Sequence, residues 1–188
     1  MIKVIGGSAR GVPLITPKEH TRPTTGRIRE TLFNIIQASV RDAVFYDLFA
    51  GSGAIGIEAL SRGAARVYFS DTSNEAIRCI RANLEKTSLQ EHATVLPVSF
   101  ERVLMTECEK ADIIFMDPPY RKGLEMKALR LLLESPILKD DTMIIIEASN
   151  DTEFSEDLIR GYSICRIKEY GNLKHVFLTK KEAEGSST

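Results

Sequence analysis

Long hydrophobic runs are missing from this chain. Stretches such as Ile113–Met116 and Met143–Ile146 are far shorter than the roughly 20 residues a membrane-spanning helix needs. No signal peptide is legible at the start either, because Gly6, Gly7 and Arg10 interrupt any apolar core, so the cytoplasm is the expected location. Cysteine is scarce and scattered. Cys79, Cys108 and Cys165 form no C-x-x-C pair and have no histidine beside them, which argues against a zinc site and for free or structural thiols. Histidine is equally thin, and His20, His92 and His175 sit in surroundings that read as surface or strand edge. None of them is assigned to catalysis, and no metal is expected.

What is present suffices for one soluble globular domain with a small appendage: 188 residues, 43% of them hydrophobic. The net charge of −1 hides an asymmetry. Residues 1–41 carry seven basic side chains against two acidic ones, and the remainder carries 18 against 24. A basic segment joined to a mildly acidic body is the distribution expected when one face meets a polyanion.

From Val44 to Leu178 short apolar runs alternate with helical stretches, the pattern of successive βαβ units in a parallel sheet. "AVFYDLF", "ARVYFSD", "ATVLPVS", "ADIIFMD" and "TMIIIEAS" read as five strands, and "YSICRIKEYG" and "LKHVFLTK" as two more. Helices are expected through Ala59–Arg62, over Asn74–Lys86 with Ser73 as cap, over Phe100–Cys108 and in "MKALRLLLESP". Ahead of them, "MIKVIGG" and "GVPLITP" predict two short strands around the turn "GGSARG", and "TRPTTGRIRETLFNIIQ" opens a helix capped by Thr24 or Thr25. Residues 1–41 thus read as a basic appendage, 42–180 as the sheet domain and 181–188 as a disordered tail.

Two motifs carry chemistry. In "YDLFAGSGAIGIEAL", Gly51-x-Gly53-x-x-Gly56 follows a strand and precedes a helix, and Asp71 ends the next strand twenty residues beyond Gly51. This is the spacing of a dinucleotide site, where Ala50, Gly51 and Gly53 bring the backbone close to a ligand and the acid accepts ribose hydroxyls. Asp47 stands just before the loop, where a negative charge opposes a pyrophosphate but suits the cationic amine of a methionine moiety. S-adenosylmethionine is therefore the expected cofactor.

The second motif is "DPPY". The fourth strand should lie beside the first, where the strand order reverses, so Asp117 shares a crevice with Asp47. Pro118 and Pro119 stiffen the backbone that aims Asp117. Methylation of an exocyclic amino group needs such a frame, because the lone pair is delocalised into the ring. Asp117 and the Pro118 carbonyl each accept one N–H, and Tyr120 offers a stacking face worth about 1–3 kcal/mol. Arg121 and Lys122 then lie where a phosphate beside a flipped base would lie. Two further readings stay open on these motifs: amino methylation of adenine or cytosine in DNA, opposed by the lack of a separate target-recognition domain, and a non-catalytic RNA-binding ribosome assembly factor, opposed by the intact "DPPY".

The combination of "VIGGSARG", "TRPTTGRIRETLFNII", "DLFAGSGAIGIEALSRGA", "DPPY" and "EYGNLKHVFL" resembles the RsmD-type methyltransferases, which modify a guanine N2 in small-subunit (16S) ribosomal RNA. The resemblance spans nearly the whole chain. It implies an α/β fold, a Rossmann-like S-adenosylmethionine-dependent methyltransferase sheet of seven mostly parallel strands with the last antiparallel, plus the small N-terminal hairpin and helix. It implies that Arg10, Arg22, Arg27 and Arg29 help hold RNA, with the small-subunit RNA, within a ribosomal particle, as partner; a monomer suits an enzyme that must dock onto so large a particle. In the wider fold an Asp often ends the third strand near the adenine amino group. Here Ser99 takes that place, with Phe100 able to cover the ring.

Overall fold

The computed structural model describes residues 2–18, 25–106 and 108–181. Its first elements are the expected hairpin, β1 (Ile2–Lys3) and β2 (Pro13–Leu14), paired antiparallel. The apolar runs become β3 (Val44–Leu48), β4 (Arg66–Ser70), β5 (Ala93–Leu96), β6 (Ile113–Met116), β7 (Met143–Ser149), β8 (Tyr162–Tyr170) and β9 (Leu173–Lys180). They form one seven-stranded sheet in the order β5-β4-β3-β6-β7-β9-β8. Neighbours from β5 to β7 pair in parallel, and only β9 runs against the others. This is the methyltransferase sheet that the sequence implies, with β3 beside β6 at the reversal of strand order.

Helices cover both faces, as a parallel sheet requires. On one face lie α1 (Gly26–Val40), α2 (Ala54–Ser61) and α3 (Asn74–Thr87), whose Phe33, Ile57 and Ile80 pack on Phe45, Phe69 and Phe115. On the other lie α4 (Phe100–Leu104) and α5 (Leu124–Leu132), packing Leu104 and Leu129 on Tyr46, Ile114 and Ile146. Ser73 caps α3 as expected, accepting from the Ala76 N–H at 3.3 Å. Thr25 caps α1, accepting from Ile28 at 3.4 Å, while Thr24 and the expected tail beyond Lys181 lie outside the described residues. α4 stops at Leu104, short of the expected Cys108. Among the described residues no helix is long and apolar enough to cross a membrane.

The N-terminal segment shares this core. Val4, Ala9 and Leu14 belong to the same buried cluster as Phe33, Ile57 and Phe69. The turn "GGSARG" has few backbone partners of its own, and α2 supplies them. Glu58, fully buried, accepts the Ile5 and Gly6 N–H groups at 2.8 Å each. Ser61 accepts the Ala9 N–H on its hydroxyl at 2.9 Å and the Ser8 N–H on its carbonyl at 2.8 Å. Gly7 has a φ of +76°, and a Cβ there would sit 1.7 Å from the Ser61 carbonyl oxygen, so only glycine fits. A second tie runs through Asn83, buried in α3. Its amide exchanges hydrogen bonds with the Ile15 backbone at 2.7 and 2.8 Å and donates to the Ser52 carbonyl at 2.9 Å. One side chain therefore joins the basic segment to the glycine loop.

Candidate active site

Strands β3 to β7 run parallel, so the loops leaving their C-terminal ends lie along one edge of the sheet, where a crevice is expected at the reversal of strand order. In the glycine loop, Phe49, Gly51 and Gly53 all have positive φ, and Phe49 does so as an aromatic residue at +66°. That conformation is costly for a bulky side chain and concentrates at functional sites. The half-buried Phe49 ring packs on Phe100 at 4.9 Å between centroids. Ala50 donates to the Ser70 carbonyl at 2.9 Å and accepts from Gly53 at 2.7 Å, which closes the turn. At Gly56 a Cβ would lie 2.3 Å from the Phe69 ring, so the bare backbone is what lets α2 settle against β4.

Three acids define the electrostatics. Asp71, at the tip of β4, accepts the Gly51 N–H at 2.9 Å on one oxygen and the Ser73 N–H at 2.8 Å on the other. Each oxygen keeps a lone pair for a further donor. Asp47 is only 2% exposed and accepts the Gly56 N–H at 2.9 Å. Burial pushes its carboxyl up to about 8; the Asp71 charge adds to this and the Gly56 bond opposes it. The negative charge expected there thus develops only above about pH 8 unless a cation arrives. The sign for stability follows: the folded state keeps a proton that the unfolded chain loses near 3.8, so this group makes the fold less stable as pH rises from about 4 to about 8.

Asp117 follows β6, beside Asp47 on β3. Burial holds its carboxyl well above the ordinary aspartate range, and the charges of Glu147 and Asp47 raise it further. Pro118 is buried, Pro119 is exposed, and Tyr120 is 42% exposed. Tyr120 and Arg121 border a cleft of about 410 Å³ whose other walls include Ser149, Asn150 and Asn172. That volume is in the range of small-ligand pockets. Arg121 pairs with Asp151 at 3.4 Å with both side chains largely exposed, and Lys122 is exposed.

Phe100, expected to cover a ring, is 5% exposed and packed on Phe49, with the Lys127 ammonium 5.9 Å from its centroid. The half-exposed ring at the crevice is Phe49. Ser99 immediately precedes α4 and is half-buried. Arg10 and Arg27 are exposed, and Arg22 lies outside the described residues. Arg29 is corrected: it is 1% exposed, 3.7 Å from Glu58, and donates to the Lys3 carbonyl at 2.5 Å. Its guanidinium ties the hairpin to α1 and α2 and is not available to RNA. His175, read as surface or strand edge, is fully buried and bonded to Glu147 at 2.8 Å. An acid at the end of the apolar run "IIIE" was the signal for Glu147; nothing in "LKHVFL" marked its partner.

Known proteins are similar to this chain along nearly its whole length. The chain is 35% identical to the "Putative rRNA methyltransferase YlbH" of Bacillus subtilis, over 96% of this chain and 99% of the relative. It is also 35% identical to the "Ribosomal RNA small subunit methyltransferase D" of Escherichia coli, over 99% and 93%. A solved structure of a putative methyltransferase from Escherichia coli superposes with a TM-score of 0.84 at 32% identity, covering 97% of this chain and 99% of that one. A putative methylase from Haemophilus influenzae gives 0.79 at 28%, over 96% and 99%. The family model described as Conserved hypothetical protein 95 matches residues 2–179, and the chain belongs to that family, the RsmD-type ribosomal RNA methyltransferases.

Proposed function

We propose that this protein transfers a methyl group from S-adenosylmethionine to the exocyclic N2 of a guanine in small-subunit (16S) ribosomal RNA. The observation that carries the reading is the parallel pairing of β3 with β6, which sets Asp47 opposite Phe115 and Asp117 two residues further along the neighbouring strand, with Tyr120 leading from Asp117 to the cleft it lines. The names of the relatives in Bacillus subtilis and Escherichia coli support ribosomal RNA as the substrate.

The residues suit the cofactor by their donor chemistry. The Asp71 carboxylate keeps lone pairs for ribose hydroxyls, the turn at Ala50, Gly51 and Gly53 leaves the backbone approachable, and Asp47 is an acid that a cationic amine would ionise. When bound, S-adenosylmethionine supplies a methyl carbon made electrophilic by its sulfonium. Asp117 and the Pro118 carbonyl accept the two N–H groups of the amine, localising the lone pair on nitrogen, and Tyr120 stacks the base. With the cofactor held by Asp47, Asp71 and the glycine loop, the amine oriented by Asp117 and Pro118 would accept the methyl that the cofactor supplies. The surplus N–H proton then passes to the Asp117 carboxylate. Arg10 and Arg27, exposed on the basic segment, and Arg121 beside the cleft would meet phosphates.

Incubation with labelled cofactor and unmodified small subunits should yield N2-methylguanine at one position, mapped by mass spectrometry of RNase digests. Label appearing in competing duplex DNA instead, or in no nucleic acid, would overturn the reading. A second expectation concerns Asp47. Near pH 7 cofactor binding should expel up to one proton, since a cationic amine favours the ionised acid. Calorimetry in buffers of different ionisation enthalpy reads this directly, and Asp47→Asn should abolish the expelled proton.

A further inference from the structure

Behind Asp117 lies a buried pair that the steps above leave unused. The β6–β7 register aligns Met116 with Ile146, so its continuation sets Asp117, the first residue past β6, beside Glu147, which is still within β7. Glu147 in turn pairs across to His175 on β9. By pleat alternation all three lie on the sheet face of Phe115, Ile145 and Phe177. Glu147 is 2% exposed and His175 not at all, and the imidazole Nε2 donates to a Glu147 oxygen at 2.8 Å.

The rest of the histidine's surroundings is lopsided. Nδ1 of His175 is buried without a hydrogen-bond partner, and so is the hydroxyl of Tyr170, whose ring lies 5.0 Å away at 70°. Phe115 and Phe177 flank the imidazole edge-on. A histidine present only to complete the core would be expected to satisfy both nitrogens. Here its one polar tie among the described residues is to Glu147, and that tie fixes the carboxylate next to Asp117.

We propose that Glu147, clamped by His175, is a positioning residue that makes Asp117 the proton acceptor for the methylated amine. This rests on the methyl-transfer reading above. Asp47 on β3, Asp71 after β4 and Asp117 after β6 face the crevice among the described residues, and Glu147 on β7 is buried beside Asp117. His175 from β9 and Tyr170 at the end of β8 stand behind them, and the Arg121–Asp151 pair lies outside at the surface. Of the two acids that act on Asp117 Glu147 comes first; Asp47, second, adds its charge only once it ionises, near pH 8. A carboxylate beside Asp117 strengthens its hold on a proton, and a base is most effective when its affinity lies near the working pH. The N–H bond of the methylated nitrogen breaks, its electron pair stays on nitrogen, and Asp117 becomes a carboxylic acid. Being partly exposed, it then loses the proton to water.

The test is a carbon-detected NMR titration of side-chain carboxyls in the full unliganded chain, with Asp117 assigned by the signal lost in Asp117→Asn. In the wild type the Asp117 midpoint should lie above the ordinary aspartate range. Glu147→Gln, close to isosteric, should lower it by about one pH unit or more. His175→Phe should lower it as well, because the Glu147 carboxylate is then no longer held by the imidazole beside Asp117, whereas His175→Gln keeps an N–H donor and should stay near the wild type. The acid limb of the single-turnover rate should shift in parallel. An ordinary midpoint in the wild type, an unmoved midpoint in Glu147→Gln, or identical behaviour of the two His175 variants each overturns the proposal. If the titration behaves as expected but no guanine is methylated, the functional reading fails and the pair stands.

Discussion

Asp117→Ala lowers the rate of methyl transfer by about 10²–10⁴-fold while cofactor affinity stays within a few-fold of wild type. The asymmetry comes from the division of labour in the crevice. The cofactor-side acids Asp47 and Asp71 keep their partners, the N–H groups of Gly56, Gly51 and Ser73, whether or not Asp117 is present. Asp117 instead meets the amino group and takes up its proton. Asp117→Asn separates the two tasks: it keeps a carbonyl to accept one N–H but holds no negative charge, so its rate should fall between wild type and alanine. Rapid-quench single-turnover kinetics with isothermal titration of S-adenosylmethionine measures both quantities. An alanine variant with near-normal rate would remove Asp117 from the mechanism, and one that lost cofactor binding to the same degree would make it part of the cofactor pocket.

Glu58→Ala should destabilise the fold by about 3–5 kcal/mol, the range for breaking a buried ion pair and leaving its partner behind. For a chain of this length that corresponds to a fall in melting temperature of roughly 10 °C. Glu58 accepts from two backbone amides and the Arg62 guanidinium at 2.7 Å, and its second oxygen lies 3.7 Å from Arg29. Arg29 has two nitrogens, Nε and Nη1, with no hydrogen-bond partner, so the Glu58 charge is its main compensation. Burial pushes the Arg29 guanidinium down from the usual arginine value while Glu58 opposes the shift. Removing the acid leaves a buried cation, a half-buried one and two orphaned N–H groups at once. Thermal melts followed by circular dichroism provide the check; a loss below about 1 kcal/mol would mean that the hairpin is held chiefly by its apolar contacts.

The sheet was legible because its signal is repetitive. Each βαβ unit repeats the same contrast between a short apolar run and an amphipathic helix, and the glycine spacing located the reversal between β3 and β6. Asp71 was legible for the same reason, since a strand end at a fixed distance from Gly51 has one place to go. Charge was a poorer guide. Arg27 and Arg29 look alike in "TTGRIRE", yet two positions apart on a helix they point to different faces, one to solvent and one into Glu58. Burial of Arg29 depended on an acid 29 positions later whose own strand and helix had first to pack. His175 escaped for a similar reason: its partner lies 28 residues away and meets it only through an antiparallel register. Phe49 was hidden because left-handed backbone is usually read from glycine, and here an aromatic residue adopts it.

The contacts of the N-terminal hairpin also set an order of events during synthesis. Backbone groups of residues 5–15 find their partners in Glu58, Ser61 and Asn83, and the Ile15–Asn83 contact closes a span of 68 residues. Residues 5–15 are synthesised before α2 and α3 and so lack these partners until both helices have followed. A nascent chain carries its basic arm undocked through this interval, and the arm and the glycine loop settle together when Asn83 arrives. For the same reason the arm is not a transferable tag: severed from α2 and α3 it would keep its charge and lose its shape.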